Sequence, residues 1–177
     1  MKAVEKFPVK VFKVKEYAQL PEVATEGSAC FDVRAAFVAG DRIKCYNIWN
    51  KQVDVAAKII AGKIAFQIPP EHRVMVPTGL IFDIPVGFVI KMYVRSSVAL
   101  KKGLVLVNGV GVIDSDYVEE SYVLLHNVSD SLVVIDSGER IAQCELVRSN
   151  NYTIEEIDEA PAQKTDRAGG MGSTGTN

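Results

Sequence analysis

Apolar residues along this chain come in short runs separated by turn chemistry, and few of them keep a helical period. Runs of this kind predict strands at Val9–Lys15, Cys30–Val38, Arg73–Pro77, Leu80–Ile84, Phe88–Val94, Gly103–Val107, Ser121–His126, Leu132–Ile135 and Ile141–Val147. The run Phe88-Val89-Ile90-Lys91-Met92-Tyr93-Val94 reads as a strand buried for most of its length. Between the runs stand Pro69-Pro70, Thr78-Gly79, Pro85-Val86-Gly87, Asn108-Gly109 and Ser137-Gly138, all turn formers. The apolar residues include 25 Val and 14 Ile against 9 Leu, a tilt toward side chains that fit a pleated sheet. Many short strands punctuated in this way predict an all-β antiparallel sandwich or barrel. Helix is scarce. The best candidate is Lys51–Ala61, where Val53, Ala56, Ala57 and Ile60 could share a face, and a strand reading stays open there.

Size and charge narrow the classes. A chain of 177 residues and 19.3 kDa is one domain or one domain with an appendage, large enough to need no disulfide or structural metal. Lys and Arg number 20 against 22 Asp and Glu, which argues against a general nucleic-acid coat or a polybasic membrane binder. Three cysteines without metal-ligand spacing fit a reducing, cytoplasmic setting. No apolar run resembles a signal peptide or a membrane span, so a soluble protein is expected. The body is expected over residues 1–159, with residues 40–66, which hold the only Trp (Trp49), as an elaboration between strand blocks. Residues 160–177 end in RAGGMGSTGTN and read as a flexible glycine-rich arm.

With only His72 and His126, a Ser-His-Asp site or a multi-His metal site is disfavoured, and there is no Walker-type loop. Polar clusters instead interrupt the apolar strands. Arg95-Ser96-Ser97 sets a guanidinium beside two hydroxyls, a combination suited to phosphate and equally to a plain strand end with turn serines. Asp32 and Asp114 lie in or just after apolar runs and are expected to be partly desolvated, as bases and metal-shell ligands often are. Glycines around Met171, with Ser173 and Thr174, could wrap a polyphosphate with backbone N–H groups. One Arg, several hydroxyls, two carboxylates and a Gly-rich flap suit a nucleotide with Mg²⁺.

The order and spelling of these clusters resemble the trimeric dUTPase family. SACFDVRAAF is similar to its first motif, and the stretch from PPEHRVMVPTGL through VNGVGVIDSDY to its continuous central block. GERIAQCEL resembles its fourth motif, and RAGGMGSTG its glycine-rich fifth. The resemblance implies a distorted jelly-roll β-barrel, a homotrimer with sites at subunit interfaces, and Mg²⁺-assisted hydrolysis of dUTP to dUMP and pyrophosphate. No nucleic-acid or membrane partner is expected, given the charge balance. The resemblance also implies that Asp114 activates the water attacking the α-phosphorus and that Asp32 holds Mg²⁺ through water. Arg95, Ser96 and Gln143 would contact the phosphate chain, Tyr117 would pack beneath the deoxyribose, and Asn108 would read the uracil edge. Arg167, Ser173 and Thr174 would grip the γ-phosphate from the arm, with Met171 over the base. The sequence departs from the family pattern at Val94, Ser97, Glu119 and Met171, which stand where Pro, Gly, Gly and an aromatic residue are usual. Arg167 is also one residue nearer Gly169-Gly170 than usual. A dCTP deaminase on the same barrel is the alternative enzyme. A nucleotide-gated regulatory protein with a partner surface over 40–66 is the alternative from another class.

Overall fold

The computed structural model describes residues 7–150 and 152–166. Within them every strand pair is antiparallel. The sheet that matters most for function has the order β13-β11-β16-β3-β2, built from Gly111–Ile113 (β13), Phe88–Val94 (β11), Arg140–Arg148 (β16), Phe31–Arg34 (β3) and Glu22–Val23 (β2). A second sheet has the order β12-β14-β9-β5, from Leu104–Leu106 (β12), Tyr122–Asn127 (β14), Arg73–Pro77 (β9) and Cys45–Tyr46 (β5). A third joins Val133–Asp136 (β15), Lys63–Ile68 (β8) and Lys58–Ile60 (β7). Two ribbons complete the barrel: Lys10–Lys13 (β1) with Leu80–Asp83 (β10), and Arg42–Ile43 (β4) with Val55–Ala56 (β6). Their inward faces share one core that includes Phe37, Phe66, Phe82, Ile90, Leu104, Leu125 and Ile141, all at 2% exposure or less.

The helix expected at Lys51–Ala61 does not form. That stretch carries β6 and all of β7, because its backbone groups are taken up by pairing with β4 and with β8. The 40–66 elaboration is also more than a surface hairpin. It buries Ile43, Cys45, Ala57, Ala65 and Phe66, and its β5 pairs directly with β9. Its tip is exposed at Ile48 and Trp49. There Asn47 Oδ1 accepts the Trp49 and Lys51 N–H groups at 3.0 Å each, and Arg73 holds Asn50 Oδ1 at 2.7 Å.

One helix forms where the sequence suggested a turn: α1, Ser96–Lys102. Only Val98 in it is buried, so no apolar stripe announces it. Its end is set by Gly103, at φ 61°, whose N–H returns to Ala99 O. Lys102 then reaches across to Glu139 Oε1 at 2.6 Å and Val134 O at 2.7 Å. That contact ties the segment beginning beside Arg95 to the turn that precedes β16.

Gly79 is a second position where backbone geometry is decisive. Its φ is 67°, and a Cβ there would lie 2.7 Å from the Ala18 Cβ. Gly79→Ala is therefore expected to destabilise the protein by about 2–4 kcal/mol. Urea unfolding monitored by circular dichroism checks this, and a loss below ~0.5 kcal/mol would contradict it.

Candidate active site

Two clefts hold five of the residues that the sequence singled out: Asp32, Arg95 and Gln143 in one, Asn108 and Tyr117 in the other. The first, of about 370 Å³, is lined by Asp32, Arg95, Gln143, Arg140, Ser28 and Cys30 among others. Its floor is the outer face of the five-stranded sheet, where Gln143 pairs with Asp32 on one side and Tyr93 on the other. Asp32 is 12% exposed and is held by two cations: Arg95 Nε donates to its Oδ1 at 2.9 Å and Arg140 Nη1 to its Oδ2 at 3.1 Å. Arg95 also donates to the Arg140 carbonyl at 3.4 Å. One carboxylate between two guanidiniums leaves a net positive cleft with exposed N–H groups, suited to an oxygen-rich anion. Ser96 and Ser97 follow Arg95 as the first, exposed residues of α1.

Arg140 is the residue that sequence reading left without a role. A β-bulge between Arg140 and Ala142 breaks the alternation of β16. Ile141 and Ala142 are therefore both fully buried, and Arg140 emerges on the same side as Gln143. Two consecutive apolar residues between Arg140 and Gln143 were the available signal. Arg140→Gln is expected to raise the KM for a polyanionic substrate about 10-fold, since a hydrogen bond between charged groups is lost. Steady-state kinetics check it, and an unchanged KM would show that Arg140 contributes nothing to the cleft.

The cleft holds no ready nucleophile. Cys30 is only partly buried, but burial and then the nearby Glu145 and Asp32 push its thiol up, away from the thiolate. Burial pushes the Cys144 and Cys45 thiols up as well. Tyr93 donates to Glu145 Oε1 at 2.6 Å, and that bond raises its hydroxyl pKa most.

The second cleft, of about 260 Å³, is lined by Asn108, Gly111, Tyr117, Ser121, Met92 and Leu106, among others. It exists because Asn108–Asp114 is not a paired hairpin. β12 pairs with β14 and β13 pairs with β11, so the segment is an arch between two sheets with a gap beneath it. Gly111 keeps that gap open, since a Cβ there would come within 3.0 Å of the Met92 Cβ. The Tyr117 N–H returns to Asp114 O at 3.2 Å, and its hydroxyl donates to Glu120 O at 2.9 Å. Glu120 anchors the turn further, accepting from Gly79 N at 2.8 Å and from the Tyr122 hydroxyl at 3.1 Å. Burial, with Glu120 beside it, pushes Tyr122 up to about 12.

Asp114 corrects an expectation. It is exposed, not partly desolvated, because it follows the last residue of edge strand β13. The two clefts are also apart. Ile113 lies opposite Ile90, so Asp114 is level with Val89, near the start of β11, while Arg95 follows its end. Six residues of strand separate those levels by about 20 Å. The structure thus brings Asp32, Arg95 and Gln143 together, and Asn108 with Tyr117, but does not bring the two groups together within one chain. Arg167, Met171, Ser173 and Thr174 lie outside the described residues.

An antiparallel jelly-roll-like barrel of this form is the fold of the deoxyuridine triphosphate hydrolases. The chain belongs to the dUTPase family, whose model matches residues 60–175. A deoxyuridine 5'-triphosphate nucleotidohydrolase from Brucella melitensis is 40% identical over 158 residues, covering 89% of this chain and 85% of that protein. The dUTPase of Streptococcus mutans superposes with a TM-score of 0.62 at 27% identity, covering 81% of this chain and 98% of that one. A mutant dUTPase from phage phi11 of Staphylococcus aureus, solved to describe the coordination of a structural Mg(II) ion, shares the fold. Its TM-score is 0.64 at 18% identity, with 88% of this chain and all of that one covered.

Whether Mg²⁺ suits this chain is a question of donor chemistry. Among the described residues no three His, Cys, Asp or Glu side chains cluster in a way that could hold a metal. The polyanion cleft has a single carboxylate, Asp32, with an arginine on each oxygen. That donor set does not fit a resident, protein-caged ion. It does fit an ion that keeps its waters, is held mainly by a nucleotide's phosphates, and meets one carboxylate through water. Among the described residues no helix is long and apolar enough to cross a membrane.

Proposed function

We propose that this dUTPase cleaves dUTP at the α-phosphorus in sites shared between copies of the chain, assembled as a homotrimer. The polyanion cleft of one protomer holds the phosphates, and the arch of another holds the deoxyuridine. The observation that carries this reading is the separation of about 20 Å along β11 between Arg95 and Asp114. A triphosphate cannot engage both groups of one chain in the way a single reacting centre requires, whereas a second copy can present its arch to the first copy's cleft.

In such a site Arg95 and Gln143 bind phosphate oxygens, with Ser96 beside them at the start of α1. Tyr117 packs beneath the sugar and leaves no room for a 2′-hydroxyl. Asn108 and the arch backbone match the uracil edge, so cytosine leaves buried polar groups unpaired. Asp114 accepts a proton from water as the water oxygen bonds to the α-phosphorus. The bond from that phosphorus to the α–β bridging oxygen breaks, and pyrophosphate leaves with the electron pair. Mg²⁺, brought with the nucleotide and met by Asp32 through water, would neutralise phosphate charge. Residues 160–177 are the proposed arm closing over the site; the described part of it, 160–166, is exposed and has neither helix nor strand. A reducing compartment such as the cytoplasm suits the three unpaired cysteines.

The test is a panel of dUTP, dCTP, dTTP and UTP with Mg²⁺ and product identification, with mass measured by light scattering. dUTP should release pyrophosphate far faster than the others, from a trimer. Equal rates, ammonia from dCTP, or full activity in a monomer would overturn the reading.

A further inference from the structure

We infer that Ser121 is a specificity-determining residue, whose hydroxyl donates a hydrogen bond to an oxygen of the nucleoside seated in the arch cleft. This rests on the reading of that cleft as the nucleoside site and adds to it a residue outside the motif residues assigned above. Ser121 is 2% exposed, and among the described residues its Oγ is the buried side-chain polar atom with no hydrogen-bond partner. It lines the same cleft as Asn108, Gly111 and Tyr117.

Its position is fixed from both sides of the peptide. The Ser121 N–H donates to Leu80 O at 2.8 Å, and its carbonyl accepts from Thr78 Oγ1 at 2.6 Å. Thr78 in turn accepts from Leu80 N at 3.2 Å, so its hydroxyl is fully engaged. The backbone of Ser121 therefore has no freedom to carry its side chain out to solvent. Continuing the alternation of β14, where Val123 and Leu125 are fully buried, Ser121 takes an inward place beside Met92, Leu106 and Ile113. A valine or alanine would suit that apolar wall. A hydroxyl there without a partner lowers stability, and a ligand oxygen entering the cleft would offset that cost. The other donor available nearby from a side chain is the Asn108 amide, so two donors of different reach frame a small planar ligand bearing oxygen acceptors.

Ser121→Ala separates the fold from the ligand. We expect its unliganded melting temperature to equal or exceed that of the wild type, since an unpaired buried hydroxyl is removed. Its affinity for dUMP, measured calorimetrically, should fall about 3- to 10-fold, the effect of one neutral hydrogen bond. Affinity within twofold of the wild type would overturn the proposal. So would a lower unliganded melting temperature, with or without weaker binding, because the hydroxyl would then belong to the fold. Wild-type protein that does not bind dUMP at all would instead refute the nucleoside reading of the arch, which keeps the two failures distinct.

Discussion

Asp114→Asn is expected to bind dUTP and to turn it over roughly 10²–10⁴-fold more slowly, the scale set by loss of a general base. The amide has nearly the carboxylate's shape, and the backbone contact of Asp114 O with Tyr117 N survives the change, so the turn keeps its form. What disappears is the carboxylate proposed as the proton acceptor. The exposure of Asp114 in the protomer makes the prediction sharper. In the proposed assembly, bound substrate and a neighbouring copy would exclude water from around it. Steady-state turnover beside equilibrium dUTP binding is the measurement. Unchanged turnover would remove Asp114 from the chemistry; lost binding would make it a structural or substrate-holding residue.

Mixing two dead variants should restore activity. Arg95→Ala removes the guanidinium that holds Asp32 Oδ1, and Asp114→Asn removes the proposed base, which follows β13 beside the opposite end of β11. If each site joins the cleft of one protomer to the arch of the next, random co-assembly gives about a quarter of the sites both intact halves. Activity in co-expressed protein should then rise from the background of either variant to about a quarter of the wild-type value. Activity that stays at background in proven mixed oligomers would place both groups in one chain's site. That would contradict the separation along β11.

The strands best read from sequence are those whose signals are local. Arg73–Pro77 and Phe88–Val94 form over the residues expected, because each is a β-branched or apolar run closed by Thr-Gly or opened by Pro-Val-Gly. Leu80–Asp83 and Arg140–Arg148 differ from expectation only at their ends. The seven-residue helix α1 escaped because a single buried residue sets no period, and its stability comes from the Gly103 cap and the Lys102 contacts. The 40–66 elaboration escaped because its strands β4 to β7 have two or three residues each, too short to set a readable period.

The candidate site divides in the same way. The motifs around Asp32, Arg95, Asp114 and Gln143 were legible as types of chemistry, since carboxylates and guanidiniums interrupting apolar runs stand out by themselves. That Arg140 shares Asp32 with Arg95 was not, because a bulge in one strand redirects it.

The sequence by itself determined the all-β class, most strand positions and the family, for these depend on side-chain preference, turn residues and motif order. Only the tertiary structure decided that the Asn108–Asp114 segment is an arch, that Asp114 is exposed, and that it lies at the opposite end of β11 from Arg95. The physical reason is that pairing and register are chosen among distant strands by burial of a shared core. No local run of residues states which neighbour it will find.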